Sequence, residues 1–110
     1  VAQLEKLNDF IADKRNLAKD YEKFFKNKNF DFFKEPKSSR SNYWLNSIIL
    51  KNKNQRDQFL KDTNSSGVMT RPIWKLMNKL SMFKNSQCGS LENSEWLYKR
   101  VVNIPSSFRL

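Results

Sequence analysis

The sequence Tyr43-Trp44-Leu45-Asn46-Ser47-Ile48-Ile49-Leu50 has the strongest strand pattern in the chain, because aromatic and β-branched residues dominate it. Before it, apolar residues at three- and four-residue spacing from 4 to 25 predict an amphipathic helix of about seven turns. After it, Asn52 or Asn54 is expected to cap a second helix, and Gly67 suits the C-terminal turn of that helix. The strongest strand is therefore flanked by the helices that can cover it.

Three weaker patterns complete the predicted sheet. Residues 30–33 are predicted to form a short strand, and residues 68–70 resemble another that stops at Arg71-Pro72. Residues 102–104 form a predicted closing strand. It follows a last helix, which Ser90 is expected to cap and in which Leu97 faces inward. These elements predict an α+β fold: a three- or four-stranded, mostly antiparallel sheet with helices on one face and a long N-terminal helix.

Composition limits the classes of protein to consider. A chain of 110 residues fits one domain. No apolar run approaches the roughly 18 residues of a membrane span, and no secretory signal pattern opens the chain. The chain has no histidine and a lone cysteine, Cys88, so we expect no metal site, no nucleophilic cysteine and a cytoplasmic location.

Charge and the segment Gly67–Trp74 together favour an anionic partner, although scattered lysines are also typical of solvated faces. The net charge is +10, and residues 42–110 hold eleven basic and four acidic side chains. Pro72 has no backbone donor and holds the preceding Arg71 in an extended conformation, so that a cation and the Trp74 ring can point away from the core. This is the best candidate site that the sequence offers.

Three segments carry a resemblance to a known family. Asn42–Asn46, Gly67–Trp74 and Val101–Ser107 resemble the C-terminal region of the pyridoxal-phosphate-dependent sugar-nucleotide aminotransferases, the DegT/DnrJ/EryC1/StrS family. The similarity is strongest to the branch that aminates 4-keto-6-deoxy sugars on nucleotides. It extends over most of the chain, from the first helix to the last strand.

The resemblance implies a division of labour between two domains. Members have a fold-type-I large domain that holds pyridoxal phosphate on a lysine, followed by a small C-terminal domain. Residues 1–110 are then expected to be the small domain, without the large cofactor-binding domain, with no catalytic residue and no cofactor bound by this chain alone. The chain begins inside a helical pattern without a methionine, which also indicates a piece of a longer protein. The parent is expected to be a cytoplasmic homodimer acting on a nucleotide-activated sugar.

The resemblance also implies a substrate-binding role for Arg71, Trp74, Lys75 and Asn78, because the matching turn in relatives reaches toward the sugar nucleotide. Many relatives have histidine where this chain has Asn78, so an acid–base role there does not carry over. Two structural alternatives stay open: Arg71 in a surface ion pair, and Trp74 in the core. Asn42, Tyr43 and Trp44 are expected to begin the main strand, and residues 103–107 to end the last one.

Other function classes remain as alternatives. A small basic nucleic-acid-binding module would explain the charge and the aromatic residues, although no recognised nucleic-acid-binding motif accompanies them, and we expect no specific nucleic acid partner. An adaptor that docks through its first helix is a third possibility. The sugar, the nucleotide, the amino donor and the carbon that is aminated stay open at this point.

Overall fold

The computed structural model describes residues 2–109. Their regular elements are helices and a single sheet, joined by loops. The helices are α1 (Ala2–Glu5), α2 (Leu7–Phe25), α3 (Lys53–Ser65) and α4 (Glu92–Tyr98). The strands are β1 (Asp31–Phe32), β2 (Asn46–Ile49), β3 (Arg71–Pro72) and β4 (Val101–Ile104), and two short 3-10 turns span Met77–Lys79 and Ser81–Phe83. The α+β prediction is confirmed.

The sheet is antiparallel throughout, with the order β1-β2-β4-β3. In the central pair, Ile48 lies opposite Val102 and Asn46 lies opposite Ile104. Residues directly opposite each other in antiparallel strands share a face, so these four side chains lie on one side of the sheet. A mostly antiparallel sheet of three or four strands was predicted, and the sheet has four.

The core lies between that face and the helices α2 and α3. Ile48 and Val102 have no exposed surface, and Leu50, Ile104 and Phe25 of α2 are buried with them. Tyr21 of α2 and residues 59–60 of α3 pack against this cluster. Burying a large aliphatic or aromatic side chain is worth roughly 1.5–3 kcal/mol, so this cluster is the main source of stability.

The first helix differs from its prediction at the N-terminal end. The expected seven-turn helix breaks at Lys6, whose φ of −102° and ψ of 13° are not helical, and α2 begins at Leu7. Leu4 and Leu7 are 68% and 46% exposed. Packing of an apolar face supplies most of the stability of a helix, so little favours an unbroken helix at this end. Phe24, near the C-terminal end of α2, is also exposed.

The ends of α3 agree with the sequence. Asn52 is the N-cap, and its side-chain oxygen accepts a hydrogen bond from the Gln55 amide at 2.9 Å. Gly67 has a φ of +77°, a left-handed conformation that costs little without a Cβ, and the next amide, Val68 N, donates to Thr63 O. Both predicted boundaries are confirmed.

The position predicted for the third strand, residues 68–70, is wrong, since β3 pairs with β4 only at Arg71 and Pro72. Thr70 is instead tied to the end of α3, where its hydroxyl lies 2.6 Å from that of Thr63 and its carbonyl accepts from Asn64 Nδ2. Pro72 can pair because β3 is an edge strand, where a missing donor is tolerated.

The last helix corrects two further expectations. Its N-cap is Leu91, with no capping side chain, so Ser90 does not cap α4. Leu97 is 37% exposed rather than packed inside, since α4 ends one residue later, at Tyr98, and has no buried residue. The closing strand itself is confirmed, one residue longer than predicted.

Candidate functional site

A concavity of about 740 Å³ lies at the edge of the sheet where β2 begins and β4 ends. Arg71 is the charged residue of its lining within the described part of the chain. The lining as a whole combines apolar, aromatic and hydroxyl side chains with this one cation: Trp44, Leu45, Met69, Arg71, Pro72, Trp74, Asn103, Ile104, Pro105, Ser106 and Ser107. We call it the Arg71 concavity.

Arg71 is exposed on the second face of the sheet, away from the core. It lies opposite Asn103 of β4, and Asn103 lies opposite Ser47 of β2, so all three share the face that α2 and α3 do not cover. Within residues 2–109 the guanidinium contacts the Met69 sulfur at 3.7 Å and forms no ion pair. The ion-pair alternative for Arg71 is therefore not supported.

Two tryptophans form an exposed aromatic pair in this concavity. The ring centroids of Trp44 and Trp74 lie 6.1 Å apart with an interplanar angle of 33°. They are 64% and 67% exposed, so the alternative that Trp74 fills the core is wrong. Large aromatic side chains rarely remain this exposed without a partner, and their faces are available to stack on a planar or apolar group.

The segment that carries Trp44 is turned rather than extended. Tyr43 has a φ of +47°, which is unusual for a residue with a Cβ, and β2 begins only at Asn46. The expectation that Asn42, Tyr43 and Trp44 start the strand is wrong. Side-chain hydrogen bonds compete with the strand here: Tyr43 N donates to Ser41 Oγ, and Trp44 N donates to Asn42 Oδ1.

An ion pair at the base of this turn fixes it to α2. Arg15 Nη2 lies 2.7 Å from Glu35 Oε1 and Arg15 Nη1 lies 3.0 Å from Glu35 Oε2, a bidentate contact. Ser41 N donates to the same carboxylate, and the guanidinium lies 5.7 Å from the Tyr43 ring centroid. The hydrogen bonds from Arg15, then that from Ser41, lower the pKa of Glu35 to about 2. We call Arg15, Glu35 and Ser41 the turn clasp.

The four predicted site residues do not all converge. Arg71 and Trp74 line the Arg71 concavity, whereas Lys75 is exposed outside its lining. Asn78 lines a separate apolar cavity of about 370 Å³, together with residues such as Leu76, Phe83 and Leu91. Its Oδ1 is buried without a hydrogen-bond partner among the described residues. The substrate-binding role of the four stays a prediction.

The sequence did not single out Trp44 or Asn103 as site residues. Asn103 lies between the buried Val102 and Ile104, and this alternation was a signal that its amide faces the other side of the sheet. The signal for Trp44 was the pair Ser41 and Asn42, whose side chains accept from the amides two residues on. The contact of Glu35 with Arg15, which also holds this turn, has no local signal. Residues 103–107, expected to end the last strand, contribute to the structure of the sheet. Ser106 Oγ accepts from Asn46 N and donates to Ile104 O.

The lysines of the described residues lie mainly at the surface. A lysine that forms a Schiff base needs a desolvated site that lowers its pKa, yet the lysines of residues 2–109 are exposed, apart from a half-buried Lys14 that donates to Ser106 O. No group of metal-binding side chains occurs in that range. None of its helices is both long and apolar enough to cross a membrane.

Comparison with known proteins gives a family and named relatives. The family model described as the DegT/DnrJ/EryC1/StrS aminotransferase family matches residues 1–110. The chain is 30% identical over 108 residues to GDP-perosamine synthase of Escherichia coli O157:H7 and 28% identical over 109 residues to that of Vibrio cholerae. Each match includes 96% of this chain but only 29% and 30% of the relative. The chain thus spans less than a third of these relatives.

Solved structures also match nearly all of this chain and less than a third of their own length. An aminotransferase, TlmJ, from Streptoalloteichus hindustanus superposes with a TM-score of 0.85 at 20% identity, over 96% of this chain and 28% of that chain. The E. coli GDP-4-keto-6-deoxy-D-mannose-3-dehydratase superposes with a TM-score of 0.73 at 26% identity, again over 96% and 28%. Both likenesses extend over nearly all of this chain.

Proposed function

This chain belongs to the DegT/DnrJ/EryC1/StrS aminotransferase family, and we propose that it is the small C-terminal domain of an enzyme that aminates a keto sugar carried by a nucleotide. The observation that carries the proposal is the similarity to two GDP-perosamine synthases over 96% of the chain. The substrate class is a nucleotide-linked 4-keto-6-deoxy sugar. The parent is a cytoplasmic homodimer, and a large domain absent from this chain holds pyridoxal phosphate.

The Arg71 concavity supports a substrate-binding role for this domain. Arg71 presents a planar set of N–H donors that suits a phosphate or a sugar oxygen. The exposed faces of Trp44 and Trp74 suit the apolar face of a sugar or the plane of a base. Lys75 is exposed and follows Trp74 in sequence, and Lys75 and Asn78 are assigned to substrate binding only through the family resemblance.

In this proposal the two domains divide the chemistry. The cofactor, when bound to the large domain, supplies the amino-group transfer. The residues of this chain bind and orient the nucleotide sugar, and the two tryptophans limit water at one side of it. No proton transfer is assigned to this chain, because it has no histidine and the Arg71 concavity has no carboxylate in its described lining.

Dehydration is the second candidate reaction. The E. coli structure at 26% identity is named a 3-dehydratase that acts on a GDP-linked 4-keto-6-deoxy sugar. The two reactions would use the same class of substrate, so the Arg71 concavity would serve both. The product separates them, since amination adds nitrogen to the sugar and 3-dehydration does not.

A chimeric enzyme tests the proposal. Residues 1–110 replace the matching C-terminal part of the E. coli O157:H7 GDP-perosamine synthase, and the purified chimera receives a GDP-linked 4-keto-6-deoxy sugar and glutamate. We expect an aminated sugar nucleotide by mass spectrometry. The unmodified synthase is the positive control. A folded chimera that shows the visible absorption of bound cofactor, yet forms no aminated product, would overturn the proposal.

A further inference from the structure

Three side chains form a row across the second face of the sheet. Ser47, Asn103 and Arg71 occupy directly paired positions on β2, β4 and β3. Paired residues of antiparallel strands have Cβ atoms about 4.5–5.5 Å apart on the same face, so the row is continuous. Pro72 and Val102, one position along, belong to the opposite face. The row ends at the edge of the sheet, in the lining of the Arg71 concavity.

Ser47 fixes the orientation of the Asn103 amide. Its hydroxyl donates to Asn103 Oδ1 at 2.7 Å. This occupies the acceptor end of the amide and leaves the Nδ2 end, with two N–H donors, for other partners. Within residues 2–109 no hydrogen bond from Nδ2 is recorded, and Asn103 is half-buried. The amide therefore presents donors next to the guanidinium that lies opposite it on β3.

The surroundings of these donors favour a negatively charged ligand. Arg71 is positive, and the described lining of the concavity contains no aspartate or glutamate to neutralise it. Hydrogen bonds from an uncharged amide and a guanidinium to one anionic group are mutually supportive, and such charge-assisted bonds are the strong ones. The amide and the guanidinium form a donor pair that suits the non-bridging oxygens of a phosphate.

We propose that Asn103, oriented by Ser47, is a second ligand-binding residue beside Arg71, and that the pair binds the diphosphate group of a nucleotide ligand. The identity of the ligand rests on the proposed function, whereas the donor pair rests on the sheet register. Asn103 contacts the ligand, and Ser47 is a positioning residue that acts through Asn103. The exposed pair Trp44 and Trp74 then lies where the remainder of the nucleotide sugar extends.

Titration of the 110-residue chain tests this site directly. GDP and inorganic pyrophosphate are the probes, followed by amide NMR shifts and by quenching of tryptophan fluorescence. Asn103→Asp keeps the size of the side chain and can still accept from Ser47, but it replaces two donors with a negative charge. We expect it to weaken GDP binding by about tenfold or more. Ser47→Ala should weaken binding less, because Asn103 remains but is no longer fixed.

The matched control adds the same charge elsewhere. Asn54 is exposed near the start of α3, beyond the other end of β2, so Asn54→Asp should leave GDP binding unchanged. Thermal unfolding of each variant shows that the fold is retained. Equal GDP affinity for Asn103→Asp and the wild type would overturn the inference, and so would a wild-type chain that binds neither probe.

Results with the chimera separate this inference from the proposed function. Loss of GDP binding in Asn103→Asp, together with a chimera that does not aminate, would support the diphosphate site and reject the aminotransferase role. An active chimera whose kcat/KM is unchanged by Asn103→Asp would reject the site alone.

Discussion

Arg71 is exposed because of two local facts. Pro72 follows it and favours an extended backbone, and β3 lies at the edge of the sheet, so no further strand covers it. The register with Asn103 then decides which face it occupies. The orientation of the Arg71 side chain thus depends partly on its neighbour in sequence, Pro72, and partly on its partner across the sheet, Asn103.

Arg71→Ala in the chimera should lower kcat/KM, because a charge-assisted hydrogen bond to the substrate is lost. The loss corresponds to about 1–3 kcal/mol of transition-state stabilisation. Arg71→Lys should recover only part of this, since an ammonium lacks the planar set of donors. Arg40→Ala removes another exposed arginine and is the control. Steady-state kinetics with the sugar nucleotide measures the effect. An unchanged kcat/KM for Arg71→Ala would contradict a role in substrate binding.

Glu35 gives the turn clasp a dependence on pH. Its pKa is lowered from 4.5 to about 2, chiefly by the hydrogen bonds from Arg15. A carboxyl group with a lowered pKa in the folded state stabilises the protein fully above its ordinary pKa, and this contribution disappears as the pH falls from about 4.5 to about 2. Glu35→Gln should therefore be less stable than wild type at pH 7, and the difference should shrink as the pH falls below about 4.5 and vanish only below about 2.

Urea unfolding across that pH range measures this difference. In an Arg15→Gln background the same Glu35→Gln change should have a much smaller pH-dependent effect, because the main cause of the lowered pKa has been removed. A wild-type minus Glu35→Gln difference that stays constant from pH 7 to pH 2.5 would show that the turn clasp does not couple to the fold.

At the scale of elements, α3 and α2 differ in how their ends are set. The ends of α3 depend on local chemistry, a capping side chain at Asn52 and a left-handed glycine at Gly67. The start of α2 has no side-chain cap, and the break at Lys6 occurs where the apolar stripe has no packing partner. Local signals therefore narrow the start of α3 to one of two asparagines and place its end, whereas they predict α2 only in its central part.

Asn52→Ala should destabilise the chain by about 1 kcal/mol, because the Gln55 amide loses its acceptor. For a domain of this size that lowers the melting temperature by roughly 4 °C. Asn54→Ala is the control, since Asn54 is exposed inside the first turn and is not the cap. Thermal unfolding by circular dichroism compares the two. Equal melting temperatures for both variants would mean that the cap contributes nothing.

At the scale of the whole molecule, a single core joins elements that are far apart in sequence. Phe25 from α2, Ile48 from β2 and Val102 from β4 meet in it, and the C-terminal segment returns along α2, where Tyr21 donates to Pro105 O. The Arg71 concavity is a product of the same assembly, because β3, the end of β4 and residues 44–45 just before β2 each contribute to its lining.

The chain alone should not hold pyridoxal phosphate as a Schiff base, because none of its described lysines lies in a desolvated site. Mixed with the cofactor, it should show only the slow, nonspecific reaction of exposed amines in the visible spectrum. The chimera, which contains the large domain, is the positive control. A stoichiometric band that disappears when one lysine is replaced would contradict this expectation.

The charge of +10 should produce only weak, salt-sensitive binding to nucleic acid. Counterion release gives such binding to any strongly basic domain, so it is not evidence of a specific site. Fluorescence anisotropy with several labelled DNA and RNA oligonucleotides, at low and at physiological salt, measures it. Sequence-selective binding at physiological salt would favour the alternative of a nucleic-acid-binding module.

The α+β class, the C-terminal end of α3, the choice of two asparagines for its start, the closing strand and the family resemblance could all be predicted from the sequence. Caps, glycine turns and hydrophobic periodicity act over a few residues. Only the tertiary structure decided where β3 begins, that Trp44 leaves the strand, and that Asn103 lies beside Arg71 while Asn78 lies in another cavity. The turn at Trp44 depends on the contact of Arg15 with Glu35 as well as on the local bonds of Ser41 and Asn42. The place of Asn103 beside Arg71 depends on the pairing of β3 with β4. Contacts between residues distant in sequence leave no periodic signal along the chain, so the fold had to assemble before they could be located.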